Sequence, residues 1–307
     1  MLSRMQANFY ALGAVALWAT LAALGVALGH LPPFLLTGIA LMVGGSLAVP
    51  FVLRDKRQWQ VTHRTLALGV FTLFGFHFLL FIGLRLAPSV EVNLINYLWP
   101  LFIVVLAPLY VRGLHLTGAH VLAALLGFGG AVIAIMGGRD AAATGTAFDS
   151  RVMLGYALAL GSALIWANYS LQTKRLAQEG KGFPTAAIGL FGLVSGGLSL
   201  LCHWVLEPSV TLSVRDAGLL AVMGLGPLGA AFYLWDKALK LGDPRPIGLL
   251  SYFTPLASTA LLMVVSGRAL TWSVAAAAAL IVSAALIGTR REDNKVVKTQ
   301  IRYKNSR

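Results

Sequence analysis

The chain has 307 residues, of which 58% are hydrophobic and only 11% charged, and its mean hydropathy is +0.78. Soluble globular proteins carry about 25% charged residues. A soluble enzyme or a nucleic-acid-binding domain of this size is therefore excluded, despite a net charge of +13. The single cysteine, Cys202, excludes internal disulfides and Cys-based zinc or iron–sulfur centres.

Ten apolar segments follow along the chain, at about 8–28, 33–53, 66–86, 90–111, 118–138, 151–172, 183–205, 214–236, 246–266 and 271–289. Each approaches the roughly 20 apolar residues that an α-helix needs to cross a bilayer. The expected fold is an all-α polytopic membrane protein of ten transmembrane helices. The first segment is read as a span, not as a removed signal peptide. Residues 290–307 form a polar, basic tail. Lys and Arg are enriched in cytoplasmic connections. With the N-terminus inside, 19 of these residues fall in inner segments and tail, and 5 fall outside. Both termini are expected in the cytoplasm of a bacterial cell. The bilayer accounts for the basic excess, and no nucleic acid is needed.

The chain repeats itself. Segment four reads LRLAPSVEVNLINYLWPL and segment nine reads LKLGDPRPIGLLSYFTPL. An offset of 155 residues pairs Arg85 with Lys240, Tyr97 with Tyr252 and Pro100 with Pro255. Trp18-Ala19 recurs as Trp166-Ala167 at an offset of 148. The unit is five helices, an odd number, so the second copy enters the membrane from the opposite side. The domain reading is a first repeat at 1–138, an external connection at 139–150, a second, inverted repeat at 151–289, and the tail. Inverted repeats are a transporter architecture, with the substrate near the bilayer midplane.

Candidate substrate-binding residues lie at that depth. Pro100 and Pro255 remove helix donors and are expected to kink their helices at Asn96 and Ser251. Asn93, Asn96 and Tyr97 share a face with Pro100, and Ser251 and Tyr252 share the equivalent face with Pro255. Trp18, Trp99, Trp166 and Tyr169 are central aromatics. His77 and Phe81 share a face of the third segment, and Tyr233 lies on the eighth. The GLGPLG run at 224–229 places a bend at Pro227. Trp59, Tyr110, Trp204, Trp235 and Trp272 sit near span ends and fit an interfacial belt. The bland alternative is that kinks and amides only pack helices together.

No metalloprotease, P-loop or Ser–His–Asp pattern occurs, so an enzyme is not expected, nor a cofactor or a metal. The five-helix repeat, the Pro-centred fourth and ninth helices and the stretch FHFLLFIGLRLAPSVEVNLINYLWPLF resemble the drug/metabolite transporter superfamily, EamA type, and within it the YddG-like aromatic amino acid exporters. The resemblance implies export of amino acids, aromatic and other neutral ones, across the inner membrane by alternating access. A pocket of aromatics, amides and hydroxyls suits such zwitterions. It also suits aromatic or quaternary cations, so efflux of cationic drugs or metabolites stands as the alternative. A membrane scaffold is the reading outside transport. Ten helices can enclose a cavity within one chain, so a monomer is expected. All eleven acids fall in connections, in the tail or near span ends, leaving His77 as the central titratable group. Facilitated diffusion is favoured over proton linkage through His77, because the His77 ring lies among aromatics.

Overall fold

A computed structural model describes residues 2–136, 150–265, 272 and 274–287. The 139–149 part of the expected connection and the 290–307 tail lie outside the described residues. Among the described residues every regular element is helical. In chain order these are α1 (Leu2–Ala19), α2 (Leu21–Ala27), α3 (Pro33–Ser46), α4 (Val49–Arg54), α5 (His63–Val70), α6 (Phe76–Leu86), α7 (Ser89–Asn96) and α8 (Trp99–Tyr110). They continue with α9 (Gly118–Met136), α10 (Ser150–Gln178), α11 (Ala187–Leu206), α12 (Val214–Leu225), α13 (Ala231–Leu241), α14 (Pro244–Leu250), α15 (Phe253–Val265) and α16 (Val274–Ile287). Joined across short irregularities, seven stretches are long and apolar enough to span a membrane, and α9 and α16 are shorter apolar helices.

The irregularities recur in pairs. Tyr97 and Leu98 separate α7 from α8, and Ser251 and Tyr252 separate α14 from α15. In each case a proline sits in the first turn of the following helix, at Pro100 and at Pro255, because there its missing N–H costs nothing. The freed carbonyl expected at Ser251 is not free: it accepts the Thr254 N–H at 2.9 Å. Single π-helical turns occupy Phe71–Gly75 and Gly226–Ala230, again 155 residues apart. The bend at Pro227 is the second of these. The first carries no proline, and its composition gave no sign of it.

Close packing centres on three helix pairs: α3 with α11, α1 with α13, and α6 with α10. Glycine sets the α3–α11 distance. A Cβ on Gly45 would lie 2.7 Å from the Gly189 carbonyl, and one on Gly196 would lie 2.8 Å from the Gly38 carbonyl. Small residues let helix backbones approach this closely in a membrane. Gly45 pairs with Gly196 and Gly38 with Gly189 at one offset of 151, so the same contact is made twice.

The turns at 28–32, 87–88 and 207–213 lie at one end of the bundle, with Arg85. The turns at 55–62, 111–117, 179–186 and 242–243 lie at the other, with Lys240. At the Arg85 end, the buried Glu207 carboxylate accepts the Phe34 and Leu35 N–H groups at the start of α3. It also pairs with Arg85 at 2.7 Å and with His203 at 3.0 Å. A carboxylate at a helix N-terminus satisfies orphan donors and the helix dipole together.

Candidate functional site

A cavity of about 1060 Å³ runs from the middle of the bundle to the Arg85 end, where Arg85 and Gly29 on its rim are exposed. Its floor is aromatic. Trp18 of α1 lies edge-on to Trp99 of α8 (6.4 Å between centroids) and to Trp166 of α10 (5.8 Å). Phe76 and Phe232 each approach Trp166 to 5.5 Å. Edge-to-face geometry is favoured by the quadrupoles of the rings and holds them in fixed positions. Trp235 of α13 seals this floor from below, 5.3 Å from Trp18 and 5.5 Å from Trp99, and is fully buried.

Two indole hydrogen bonds lock this cluster. Trp18 Nε1 donates to the carbonyl of Pro227 at 3.1 Å, and Trp235 Nε1 to Ser170 Oγ at 3.2 Å. The expectation that Trp235 belongs to an interfacial belt is overturned. The eighth segment runs to Leu241 rather than ending at 236, so Trp235 stands more than a turn inside it. Trp204 and Trp272 are largely exposed, as belt residues would be. Trp59 donates to the Ala186 carbonyl at 2.9 Å and ties the 55–62 turn to the 179–186 turn instead.

The walls are mostly apolar, with a few neutral polar groups set among them. His77, Phe81, Asn93, Asn96 and Tyr97 line the cavity with Trp18, Trp99, Trp166, Pro227 and Pro255. His77 Nδ1 lies 2.6 Å from the Leu73 carbonyl. A carbonyl only accepts, so Nδ1 carries the proton, and in the neutral ring Nε2 is left as an acceptor. Asn96 is set by Ser162, whose hydroxyl lies 3.2 Å from its Oδ1 and 3.1 Å from the Phe76 carbonyl. Arg85 is the one charged group among the described lining residues, and it is paired with Glu207.

The other singled-out residues stand elsewhere. Tyr169 is buried behind Trp166, on the Lys240 side of the floor. Tyr233 donates to the Gly44 carbonyl at 3.1 Å and so packs against α3. Ser251 turns back to the Gly248 carbonyl at 2.6 Å. The Tyr252 ring is buried against Gly127 of α9. Pro100 is buried in the first turn of α8, just after the break, and lies outside the cavity lining. Equal register in the two segments did not give equal surroundings. Sequence reasoning missed Thr37 and Thr254. Both line the cavity, both are more than nine-tenths buried, and neither hydroxyl has a hydrogen-bond partner among the described residues. A threonine at helical spacing carries no signal of this in sequence.

The model of the EamA-like transporter family matches residues 5–136 and 153–289. The chain belongs to the EamA-like transporter family. It is 38% identical to the aromatic amino acid exporter YddG of Ancylobacter novellus, over 94% of this chain and 98% of that protein. It is 27% identical to the exporter of the same name from Escherichia coli strain K12, over 94% of this chain and all of that one. A solved crystal structure superposes with a TM-score of 0.83 at 36% identity, covering 92% of this chain and 97% of that chain. These matches make the chain a multi-pass membrane protein of a transporter family rather than of an enzyme family.

Proposed function

We propose that the protein is a secondary transporter that exports amino acids, aromatic and other neutral ones, across the bacterial inner membrane. The observation that carries this reading is the cavity itself: an aromatic floor under neutral donors and acceptors, with its one charge already paired. A free ion would meet no opposite charge at that depth, whereas a zwitterion brings its own. The Nε2 acceptor of His77 suits the substrate ammonium, and the amides of Asn93 and Asn96 suit its carboxylate. The aromatic side chain rests on Trp18, Trp99 and Trp166. At about 1060 Å³ the cavity stands at the upper end of small-molecule sites, which supports a broad substrate range. The names of the relatives support the same reading.

The transporter works by alternating access between two inverted five-helix repeats, ten helices in all, at 1–138 and 151–289. The double match of the family model, the paired breaks and the paired π turns support this. Both termini and the Lys240 end are cytoplasmic, so the structure is the outward-facing state. In it the tryptophan cluster separates the cavity from the cell interior. The two breaks and two π turns supply the hinges, since irregular backbone in a membrane helix marks a place that moves or binds. One chain encloses the whole site, so a monomer suffices.

Equilibrium binding to purified protein separates amino acids from cations. Labelled tryptophan binds saturably and is displaced by phenylalanine and tyrosine, and not by a quaternary ammonium dye. Displacement by the dye with no effect of phenylalanine would replace this reading with cation efflux.

A further inference from the structure

Below the tryptophan floor, on the Lys240 side, lies a second cluster of polar groups. Asp236 and Lys240 stand one turn apart on α13 and pair at 2.6 Å. Thr185 donates to the same Asp236 oxygen at 2.6 Å, and Lys240 donates to the Phe183 carbonyl at 2.7 Å. Lys240 also stands over the Phe183 ring at 4.2 Å. Tyr169 is buried against Trp166 on this side of the floor. Asp236 has no exposed side-chain surface, and its second oxygen, Oδ1, has no partner among the described residues. A buried carboxylate oxygen without a donor is costly, and a stability role does not explain it. Replacing such a pair by apolar residues would serve packing as well or better.

The repeat says where this cluster belongs. Leu21, Gly25, Phe81 and Arg85 line the open cavity. Their counterparts at the offsets of 148 and 155 are Tyr169, Thr173, Asp236 and Lys240. The residues of the second repeat that match the open half of the pathway are therefore those shut together at the other end. The match is one of position and not of chemistry. On the open half the counterparts of Tyr169, Thr173 and Asp236 are a leucine, a glycine and a phenylalanine.

We infer that Asp236, Lys240 and Thr185, with Tyr169 above them, form a second binding station for the amino acid zwitterion, at the face where substrate is loaded. The inference rests on the exporter and inverted-repeat reading above. In the present conformation the station is collapsed, and its carboxylate and ammonium satisfy each other. When that end opens, the substrate ammonium takes the orphaned Oδ1 of Asp236, and the substrate carboxylate takes Lys240 and Thr185. One ion pair is exchanged for two, so no buried charge is left alone. The Arg85–Glu207 pair of the release half leaves no carboxylate oxygen unpartnered, since Glu207 also accepts the Phe34 and Leu35 N–H groups and lies 3.0 Å from His203. The loading face thus grips the charged head group, while the release face holds mainly the side chain.

The test uses the full-length protein in vesicles of defined orientation and measures labelled tryptophan flux from each face. Two competitors probe the wild type: tryptophan methyl ester, which lacks the carboxylate, and N-acetyltryptophan, which lacks the ammonium. At the Lys240 face each inhibits about tenfold or more weakly than tryptophan, the loss expected for one charged hydrogen bond. At the Arg85 face the loss is smaller for both. The double variant Asp236→Asn with Lys240→Gln, which leaves no lone charge, raises KM at the Lys240 face by about tenfold and leaves KM at the other face within about twofold. If the competitors lose equally at both faces, the inference is wrong, whether or not the variant folds. If the wild type carries no labelled amino acid at all, the exporter reading itself has failed and the station goes with it.

Discussion

The Trp18 indole donates to the Pro227 carbonyl at 3.1 Å, tying the middle of the first span to the π turn of the eighth. The bond joins a floor residue to the turn proposed as a hinge. Whatever moves the Gly226–Ala230 turn must break this bond or carry Trp18 along. Trp18→Phe keeps most of the ring packing and deletes the donor. It costs about 1 kcal/mol of stability and changes the turnover rate more than KM. Thermal unfolding and transport kinetics on the same preparation check this. An unchanged turnover rate removes the hinge role.

Tyr97→Ala, Trp99→Ala and Trp166→Ala each reduce transport by about twofold to tenfold per lost ring contact, with folded protein retained. Trp204→Ala, at an exposed position 81% accessible, changes transport little. A larger defect in Trp204→Ala than in Tyr97→Ala contradicts the cavity assignment.

His77→Gln separates two roles of one ring. With equal amino acid on both sides of proteoliposomes and an imposed pH gradient, no net accumulation is expected of the wild type, the behaviour of a facilitator. Uphill accumulation that disappears in His77→Gln would mean proton linkage instead. In a facilitator, His77→Phe, which keeps an aromatic ring and removes the Nε2 acceptor, weakens binding by about fivefold to tenfold, and exchange persists.

Gly45→Ala destabilises the α3–α11 pair by about 1–3 kcal/mol, because the added methyl meets the Gly189 carbonyl, which is backbone and cannot rotate away. Gly196→Ala has a similar effect through the Met42 side chain and the Gly38 carbonyl. Gly197→Ala, where an added Cβ meets nothing within 4 Å, is the control and leaves the melting temperature unchanged.

Much of this was legible in the sequence, and the reasons for the rest are specific. Helices show as apolar runs because lipid demands them, and the breaks at 97–98 and 251–252 show through Pro100 and Pro255. The π turn at Phe71–Gly75 does not show, because none of its residues is obliged to be there. Trp235 and Asp236 were placed at a span end because apolar composition stops near 236, while the helix itself runs on to Leu241 through Lys237 and Lys240. Lysines near a helix end can snorkel, so charge is a poor marker of where a membrane helix stops. Asp236 and Lys240 at i, i+4 were the available signal of a buried pair. Tyr252 shares its register with Tyr97, yet Gly127 opens a slot that takes its ring into the helix packing. A repeat predicts backbone position, and neighbouring side chains decide which way each ring goes.

Topology is tested by single-cysteine labelling in a Cys202→Ser background. Cysteine at position 56 reacts with an impermeant reagent only from the cytoplasmic side, and cysteine at position 210 only from outside. Reaction of position 56 from outside contradicts the inverted orientation.

The most direct test of the whole account is counterflow of labelled tryptophan in proteoliposomes preloaded with unlabelled amino acid. A transient accumulation of label is expected when the vesicles hold tryptophan or phenylalanine. Little accumulation is expected when they hold a quaternary ammonium compound, and none in protein-free vesicles. Label that enters protein-containing and protein-free vesicles alike would contradict the claim that this cavity carries amino acids.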